Sequence, residues 1–458
     1  MKLHTVKSEG LAHNSYFLSD NGEAAVIDPR RDCQIYTRLA RKECAEIRYI
    51  LETHRNEDYV VGSLELQDLT GAEIGHSKEL NFKYGEHNLS DGETLSVGNL
   101  RIKALHTPGH TDESLCYAVY TPERGAEPFL VFSGDTLFVG SVGRTDLYGA
   151  AAKGKQAEKL HASLHEKLLP LGDHVFVYPA HGAGSVCGSG ISAQEFSTLG
   201  YEKKTNPYLQ LTKEAFVDAA LRQEMLVPPY FRQMEEYNLN GAPLLSELAF
   251  PRALSLADFE EEMQEPNMAL VDTRMPNAFA ASHIPGSFSI WLGGTSVYPG
   301  WFFDVKQYFL FVHERASDIG KVARRFRRIG FDNMCGFLCR GMGEWQDEGK
   351  PLGSVGVLSA AALRAKLDKG EVRLLDVREP GEWKEEGYVV GAERVFVGYL
   401  QEKADGLPRD KPVAVTCSVG NRSGIGASIL KRKGFSEVYN VMGGMTAWRK
   451  LGFPVKKD

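Results

Sequence analysis

The chain has 458 residues, and at roughly 150 residues per domain this length predicts about three domains. Hydrophobic residues make up 43% of it and charged residues 25%, which is typical of a globular protein and excludes a disordered or fibrous one. The net charge of −7 with no long basic run argues against nucleic-acid binding, and no stretch approaches the ~18 apolar residues of a membrane-spanning helix.

The cysteines and the N-terminus predict a reducing compartment. The seven cysteines are few, odd in number and scattered, which is not typical of a disulfide framework. The segment after Met1 is polar and lacks the apolar block of a secretory signal. We therefore expect a cytoplasmic protein in which a cysteine is chemically active or buried rather than bridged.

The first half of the sequence alternates short apolar runs with polar loops. These runs predict strands at residues 24–28, 48–52, 100–105, 115–120, 129–132 and 174–178. Four of the runs are followed by loops that carry histidine or aspartate, at residues 53–54, 106–110, 133–135 and 179–181. Catalytic groups commonly lie on loops that a rigid scaffold holds, so these four loops are the first candidate site.

The second half contains an internal repeat. Four pairs of matching residues lie 104 positions apart, or 103 for the last pair: Leu254 and Leu358, Asp272 and Asp376, Gly330 and Gly434, Trp345 and Trp448. A near-constant offset over such a length predicts two copies of one α/β domain, each folded around its own core. The predicted domains are therefore residues 1–245, 252–350 and 355–458.

One cysteine in the last copy has the surroundings of a nucleophile. An apolar run ends at Cys417, and a helical pattern follows from Gly424. A strand, a tight loop and a helix N-terminus surround one sulfur atom with backbone N–H groups, which favours a thiolate there. Arg422 adds a guanidinium fork for an oxyanion. We predict that Cys417 and Arg422 are catalytic; the alternative is a buried cysteine at a strand end.

This last copy resembles the rhodanese family of sulfurtransferases over residues 355–458. The residues that carry the resemblance are the LLDVR strand, the cysteine loop, and the closing segment from Gly443 to Trp448. Four residues separate Cys417 from Arg422, whereas the loop of a cysteine phosphatase has five, so a sulfur atom suits this loop better than a phosphate. The residue 104 positions before Cys417 is His313, which predicts a rhodanese-like middle domain without its nucleophile.

The run from Thr53 to Tyr59, THRNEDY, resembles the HxHxDH signature of the metallo-β-lactamase fold. The match continues in order with TPGHT, SGDT and YPAHG, and it covers about residues 1–240. The resemblance implies an α/β chain with an N-terminal αββα sandwich, followed by two doubly wound rhodanese-like domains. Asn56 and Tyr59 stand where the signature has histidines that each supply a ligand in dinuclear zinc hydrolases, so a two-zinc site is not expected.

The ligand positions that remain are His54, His110 and Asp135. Two imidazoles and one carboxylate with open positions form the facial triad of non-haem Fe(II) oxygen chemistry, and persulfide dioxygenases of this fold resemble that arrangement. The resemblance implies one Fe(II) per chain, preferred over zinc. It also implies that O2 oxidises a low-molecular-weight thiol persulfide, such as glutathione persulfide, to sulfite and the thiol.

Sulfur transfer and two alternatives complete the sequence-based hypothesis. Cys417 would carry sulfane sulfur between thiosulfate, sulfite or thiols as a cysteine persulfide. The first alternative is a zinc-dependent hydrolase of thioesters. The second is a scaffold protein with a degenerate metal site and only sulfurtransferase activity. Neither a membrane nor a nucleic acid is an expected partner, and the oligomeric state, including a homo-oligomer, stays open.

Six further residues are expected around the metal site, where they orient its ligands or contact the substrate: Asn56, Asp58, Tyr59, Arg144, His181 and Cys187. Asp58 would orient ligands or water. His181 would bind the second metal of a dinuclear site, and without that metal it would form hydrogen bonds. Arg144 would hold the site in place or bind a substrate carboxylate; the alternative is a structural ion pair. Cys187 either contacts a thiol substrate or is inert.

Overall fold

The computed structural model describes residues 1–457, and the chain divides into two compact units. The first unit contains residues 1–248 together with 327–330, and the second contains residues 249–326 and the chain from residue 331 onwards. Within residues 1–457, no helix combines the length and the apolar character that crossing a membrane requires.

The first unit is built from strands and flanking helices. Its strands are β1 (Lys2–Ser8), β2 (His13–Asp20), β3 (Glu23–Ile27), β4 (Glu46–Leu51), β5 (Glu73–Ser77), β6 (His87–Leu89), β7 (Thr94–Val97), β8 (Leu100–His106), β9 (Leu115–Tyr120), β10 (Pro128–Gly134), β11 (Leu137–Phe138), β12 (Ser141–Val142), β13 (Phe176–Pro179) and β14 (Ser197–Thr198). Its helices are α1 (Gln34–Lys42), α2 (Ser63–Thr70), α3 (Lys153–Ala162), α4 (Leu199–Thr205), α5 (Lys213–Arg222) and α6 (Phe231–Asn240). All six runs predicted as strands are strands: β3, β4, β8, β9, β10 and β13.

The strands of the first unit form two six-stranded sheets and one hairpin. The first sheet has the order β1-β2-β3-β4-β5-β6, and the second has the order β14-β13-β10-β9-β8-β7. Strands β3 to β6 pair in parallel, so that β4 and β5 end at the same edge of their sheet. In the second sheet β10 pairs in parallel with β13 and antiparallel with β9.

Side-chain alternation in the central strands explains the four layers of this unit. In β9, Leu115, Tyr117 and Val119 pack in a core that both sheets share, whereas Cys116 and Ala118 pack in the core that includes helix α3. Successive side chains of a strand point to opposite faces, so a strand that is buried on both faces is apolar throughout. The αββα sandwich implied by the family resemblance is therefore confirmed.

A buried carboxylate follows β4. Glu52 is 1% exposed, and its two carboxylate oxygens accept hydrogen bonds from the Tyr84 hydroxyl at 2.9 and 3.0 Å. Burial raises the pKa of Glu52 from its ordinary value of 4.5 to about 8, although the hydrogen bond from Tyr84 by itself lowers this pKa. The folded protein therefore holds this side chain as the neutral acid at neutral pH.

Replacing Glu52 by glutamine should remove part of the pH dependence of stability. Because folding raises the pKa of Glu52, its contribution to the free energy of unfolding is fully present below pH 4.5 and is lost as the pH rises towards 8. At pH 7 roughly 3 kcal/mol of this contribution is lost. Urea unfolding near pH 5 and near pH 7 measures this difference, with the exposed Glu79→Gln as the control. An equal pH dependence in wild type and Glu52→Gln would contradict the prediction.

The second unit contains ten further strands and ten helices among the described residues. The strands are β15 (Arg252–Leu254), β16 (Met268–Asp272), β17 (Phe288–Ser289), β18 (Tyr308–Val312), β19 (Met334–Leu338), β20 (Gly356–Ser359), β21 (Arg373–Asp376), β22 (Glu393–Arg394), β23 (Val413–Thr416) and β24 (Val438–Met442). The helices are α7 (Leu256–Glu262), α8 (Pro276–Ala281), α9 (Pro299–Phe302), α10 (Ile319–Arg328), α11 (Met342–Asp347), α12 (Ala360–Asp368), α13 (Pro380–Glu386), α14 (Leu400–Lys403), α15 (Asn421–Arg432) and α16 (Gly444–Lys450). The last residues of α10 belong to the first unit by their contacts.

The two halves of the second unit have the same topology. Their parallel sheets have the orders β15-β19-β18-β16-β17 and β20-β24-β23-β21-β22. In the first sheet Asp272 is opposite Val312, and in the second Asp376 is opposite Thr416, so the offset of 104 residues also holds for strand register. The predicted repeat of one α/β domain is therefore confirmed.

Candidate functional site

The three predicted metal ligands come together in the first unit. His54 lies after β4, His110 after β8, and Asp135 directly after β10. Oδ2 of Asp135 is 3.8 Å from Nε2 of His54 and 3.5 Å from Nε2 of His110. All three side chains are buried. The strand ends thus bring together residues that are far apart in the sequence.

Each of these ligands is anchored by one atom, and its other atom has no partner. The anchoring contacts are His54 Nδ1 with Thr53 Oγ1 at 2.8 Å, His110 Nδ1 with the Arg144 carbonyl oxygen at 3.0 Å, and Asp135 Oδ1 with His181 Nδ1 at 2.7 Å. The remaining atoms, Nε2 of both histidines and Oδ2 of the aspartate, are buried without a hydrogen bond. Buried polar atoms nearly always have partners, so three such atoms that converge fit a metal ion.

Two glycines allow the ligand loops to pack this closely. At Gly109, which has φ +140°, a Cβ atom would lie 2.4 Å from the backbone of Leu160 in helix α3. At Gly143 a Cβ atom would lie 1.9 Å from the carbonyl oxygen of Asp135. Only glycine leaves room for such an approach, so the glycine in the TPGH motif serves the position of His110.

A fourth ionisable side chain, which the sequence reasoning missed, lies among the ligands. Oε2 of Glu57 is 3.4 Å from Nε2 of His110 and 3.9 Å from Nε2 of His54. Burial would raise the pKa of Glu57, but the neighbouring His110 more than offsets this and holds the pKa below its ordinary value. The available signal was an acidic residue inside THRNEDY, at a position that the HxHxDH signature leaves variable.

His181 lies between two carboxylates. Its Nδ1 is 2.7 Å from Oδ1 of Asp135, and its Nε2 is 3.1 Å from Oδ2 of Asp58. Burial alone would lower the pKa of His181, but the two carboxylates raise it well above its ordinary value. The structure thus places Asp58, His181 and Asp135 in a chain of contacts.

Cys187 is a neighbour of the same centre. Its sulfur lies within 4.8 Å of carboxylate oxygens of Glu57 and Asp135, and it also lies within 4.8 Å of ligand atoms of Asp58 and His181. The side chain is fully buried, and burial raises the pKa of its thiol well above the ordinary value. Cys187 therefore presents a protonated thiol to the site.

Asn56 and Tyr59 occupy the signature's histidine positions without supplying an imidazole. Nδ2 of Asn56 donates to the carbonyl oxygen of His54 at 3.2 Å, which ties the side chain to the loop. The ring of Tyr59 packs against His13 with 4.0 Å between the ring centroids. Burial raises the pKa of the Tyr59 phenol well above its ordinary value, and its hydroxyl is buried without a hydrogen bond.

Arg144 is engaged by other parts of the protein. Its Nε and Nη2 donate to the two carboxylate oxygens of Asp146 at 2.7 and 3.1 Å, and its Nη1 donates to the carbonyl oxygens of Val186 and Leu226 at 3.0 Å each. Of the two sequence-based alternatives, this geometry favours the structural ion pair. These hydrogen bonds also fix the position of the Arg144 backbone, whose carbonyl oxygen contacts Nδ1 of His110.

Removing the partner of Arg144 should be strongly destabilising. In Asp146→Ala the buried guanidinium loses its carboxylate, and we expect the free energy of unfolding to fall by about 3 kcal/mol. Urea unfolding measures this loss, and Asp218→Ala, at an exposed position on α5, is the control. A loss no larger than that of the control would show that the ion pair does not hold this loop.

The predicted nucleophile lies at the start of a helix in the second unit. Cys417 follows β23 and is 1% exposed. Its Sγ accepts a hydrogen bond from the Gly420 N–H at 3.1 Å and is 3.4 Å from Oγ of Ser423. Helix α15 begins at Asn421, three residues before the predicted start, because Gly420 ends the loop with φ +116°. A backbone N–H therefore points at the sulfur.

Arg422 is paired within the same loop region. Its Nη1 and Nη2 donate to the two carboxylate oxygens of Glu382 at 2.6 and 2.7 Å, and Nη2 also donates to Oγ of Ser418 at 2.7 Å. Glu382 on α13 was not singled out from the sequence, since it lies far from the loop in the chain. The guanidinium fork therefore faces a protein carboxylate and braces the loop that carries Cys417.

The middle domain carries His313 where the last domain has its cysteine. His313 directly follows β18, just as Cys417 directly follows β23. Within the second unit this domain packs against the last one, and the ring of Trp301 lies 5.0 Å from Phe396 and 5.6 Å from Tyr399. A packing role fits these contacts.

Comparisons with known proteins agree with this architecture. Residues 9–181 match the metallo-beta-lactamase superfamily, and residues 255–348 and 359–451 match the rhodanese-like domain. The chain is similar to the Bos taurus protein named persulfide dioxygenase ETHE1, mitochondrial, with 28% identity over 210 residues, which are 44% of this chain and 74% of that protein. It is also similar to the probable metallo-hydrolase YqgX of Bacillus subtilis (strain 168), with 30% identity over 189 residues, which are 37% of this chain and 84% of that protein.

A solved structure extends the similarity beyond the first unit. The crystal structure of a metallo-beta-lactamase from Staphylococcus aureus subsp. aureus COL is 28% identical and covers 74% of this chain and 98% of its own, with a TM-score of 0.66. Together with the family matches, this similarity agrees with the two sheets and the repeated α/β domains described above. The chain belongs to the metallo-beta-lactamase superfamily and carries two rhodanese-like domains in its C-terminal region.

Proposed function

We propose that this chain is a cytoplasmic enzyme of sulfur metabolism that oxidises a low-molecular-weight thiol persulfide at an iron site and transfers sulfane sulfur through Cys417. One observation carries the proposal: His54, His110 and Asp135 converge with orphaned atoms, while Asn56 and Tyr59 lack the imidazoles of a second metal. The similarity to a protein named persulfide dioxygenase supports the choice of substrate.

The proposed oxidation balances as follows. Glutathione persulfide, O2 and water give glutathione, sulfite and two protons, so that the terminal sulfur loses four electrons and O2 gains them. An Fe(II) ion held by His54, His110 and Asp135 would supply the redox chemistry with O2. The chain itself would exclude bulk water, since all three side chains are buried. His181 would hold a proton at Oδ1 of Asp135 and so keep Oδ2 directed at the centre.

The proposed transfer uses the cysteine loop. Sγ of Cys417 attacks the sulfane sulfur of thiosulfate, the S–S bond of thiosulfate breaks, and sulfite leaves with the electron pair. The resulting cysteine persulfide then passes its outer sulfur to a thiol, or to cyanide in an assay. The N–H of Gly420 donates to Sγ and holds the sulfur in position in this loop. Arg422, paired with Glu382, keeps the loop in place.

Metal analysis and oxygen uptake test the proposal. Protein purified without added metal should contain about one iron per chain and should consume O2 when glutathione persulfide is added, with sulfite as a product. Uptake without persulfide gives the baseline. Stoichiometric zinc with thioester hydrolysis and no O2 uptake would overturn the iron proposal. A metal-free protein with sulfur transfer alone would instead support the scaffold alternative.

A zinc-dependent hydrolase is the second candidate function. Ligand atoms of Asp58, His181 and Cys187 lie within 4.8 Å of one another and could hold a second metal. A relative named a probable metallo-hydrolase points in the same direction. Nε2 of His181 and both carboxylate oxygens of Asp58 are buried without a hydrogen bond, whereas Nδ1 of His181 already contacts Asp135 at 2.7 Å. Two zinc ions per chain would favour this candidate.

A further inference from the structure

The metal site contains a second carboxylate that the three-residue ligand set does not use. We infer that Glu57 is a fourth ligand of the metal, so that two imidazoles and two carboxylates hold it. This inference rests on the metal site of the proposed function, but it does not depend on the reaction that takes place there.

The positions of the atoms point to direct contact with the metal. Oε2 of Glu57 is 3.4 Å from Nε2 of His110 and 3.9 Å from Nε2 of His54. Oδ2 of Asp135 lies at 3.5 and 3.8 Å from the same two nitrogens. The two carboxylates therefore approach both imidazoles at nearly equal distances, so Glu57 is positioned towards the imidazoles in the same way as the proposed ligand Asp135.

The lack of other partners sets Glu57 apart from an ordinary buried glutamate. Both of its carboxylate oxygens are buried without a hydrogen bond. By contrast, the buried Glu65 on α2 accepts a hydrogen bond from the Leu245 N–H at 2.8 Å. A buried carboxylate without hydrogen bonds is rare in a protein interior, because buried polar atoms normally have partners. The nearest atoms to Oε2 are Nε2 of His110 and Nε2 of His54, which also lack hydrogen bonds, so one divalent ion between the three groups would give each of them a partner.

A second carboxylate changes the charge of the site. Asp135 and Glu57 would together balance the charge of a divalent cation. Carboxylate oxygens and imidazoles suit iron and manganese, whereas thiolates favour softer ions such as zinc. A second carboxylate ligand therefore fits a hard divalent ion such as Fe(II) or Mn(II).

Metal titration of the full chain provides the first test. The metal is removed with a chelator, and Co2+ is added back as the probe to wild type, Glu57→Gln and the control Glu65→Gln. We expect Glu57→Gln to weaken Co2+ binding by about tenfold or more and to change the visible absorption of the bound ion, while Glu65→Gln matches wild type. A loss well below tenfold with an unchanged spectrum overturns the inference.

Stability with and without metal provides the second test, and it separates a ligand from a structural residue. In Glu57→Gln the increase in the unfolding midpoint on adding Co2+ should shrink by about 2 °C or more, because the variant binds the ion more weakly. If Glu57 only supports the fold, the metal-free midpoint falls while the increase on adding Co2+ equals that of wild type, and the inference is wrong. Both readouts work without persulfide, so a failure of the proposed reaction leaves this result interpretable.

Discussion

Replacing His54 by alanine should abolish metal binding and persulfide-dependent O2 uptake together. Nε2 of His54 is one of the orphaned atoms that converge with those of His110 and Asp135, and alanine removes it. We expect the iron content to fall below about a tenth of the wild-type value, because a site with one imidazole fewer has lost a strong nitrogen ligand. O2 uptake with glutathione persulfide should fall by about 100-fold or more.

The same variant should keep its sulfur-transfer activity. Cys417 lies in the second unit, within a domain that has its own sheet and core. Thiosulfate:cyanide transfer should therefore stay within about twofold of wild type. His174→Ala, at a largely exposed position of the first unit, controls for the loss of a histidine. Unchanged O2 uptake in His54→Ala would show that the three-residue ligand assignment is wrong.

Replacing Cys417 by serine should have the opposite pattern. A serine hydroxyl does not form a persulfide, so thiosulfate:cyanide transfer should fall to background, a loss of about 1,000-fold or more. The serine fits the cavity of the buried cysteine and keeps a partner for the Gly420 N–H, so the fold should be retained. O2 uptake with glutathione persulfide should be unaffected.

A matched cysteine variant makes this result specific. Cys339→Ser removes an exposed free cysteine of the same unit and should leave transfer unchanged. If Cys417→Ser still transfers sulfur, another cysteine carries the reaction, and the partly exposed Cys335 would be examined next. If Cys417→Ser lost O2 uptake as well, the two reactions would share a group, which the proposal does not include.

Much of the architecture was predictable because it depends on local patterns. The six apolar runs of the first half are strands, since runs of this length and composition form buried strands in either sheet. The offset of 104 residues identified the repeated domain, and the registers of Asp272 and Asp376 reproduce it. The start of α15 was placed three residues late, because the glycine before Asn421 can end a loop or continue a helix.

The surroundings of the candidate site were less predictable. The sequence left two roles for Arg144, substrate binding and a structural ion pair. The choice between them depends on Asp146 and on two carbonyl oxygens from distant loops. Arg422 was expected to meet an oxyanion, yet its fork faces Glu382, which lies 40 positions away in the chain. Such partners are decided by which loops meet in space, and no spacing in the sequence encodes that.

The sequence by itself determined the order of the motifs, the repeat and the loss of a cysteine at His313, because these are properties of a linear chain. Only the tertiary structure decided which side chains of THRNEDY face the metal centre. Nε2 of His54 lies 3.8 Å from Oδ2 of Asp135 and Oε2 of Glu57 lies 3.4 Å from Nε2 of His110, whereas Nδ2 of Asn56 donates to the backbone and the ring of Tyr59 packs against His13. The physical reason is that an irregular loop after a strand has no fixed periodicity, so its side-chain directions follow from the partners that the fold provides.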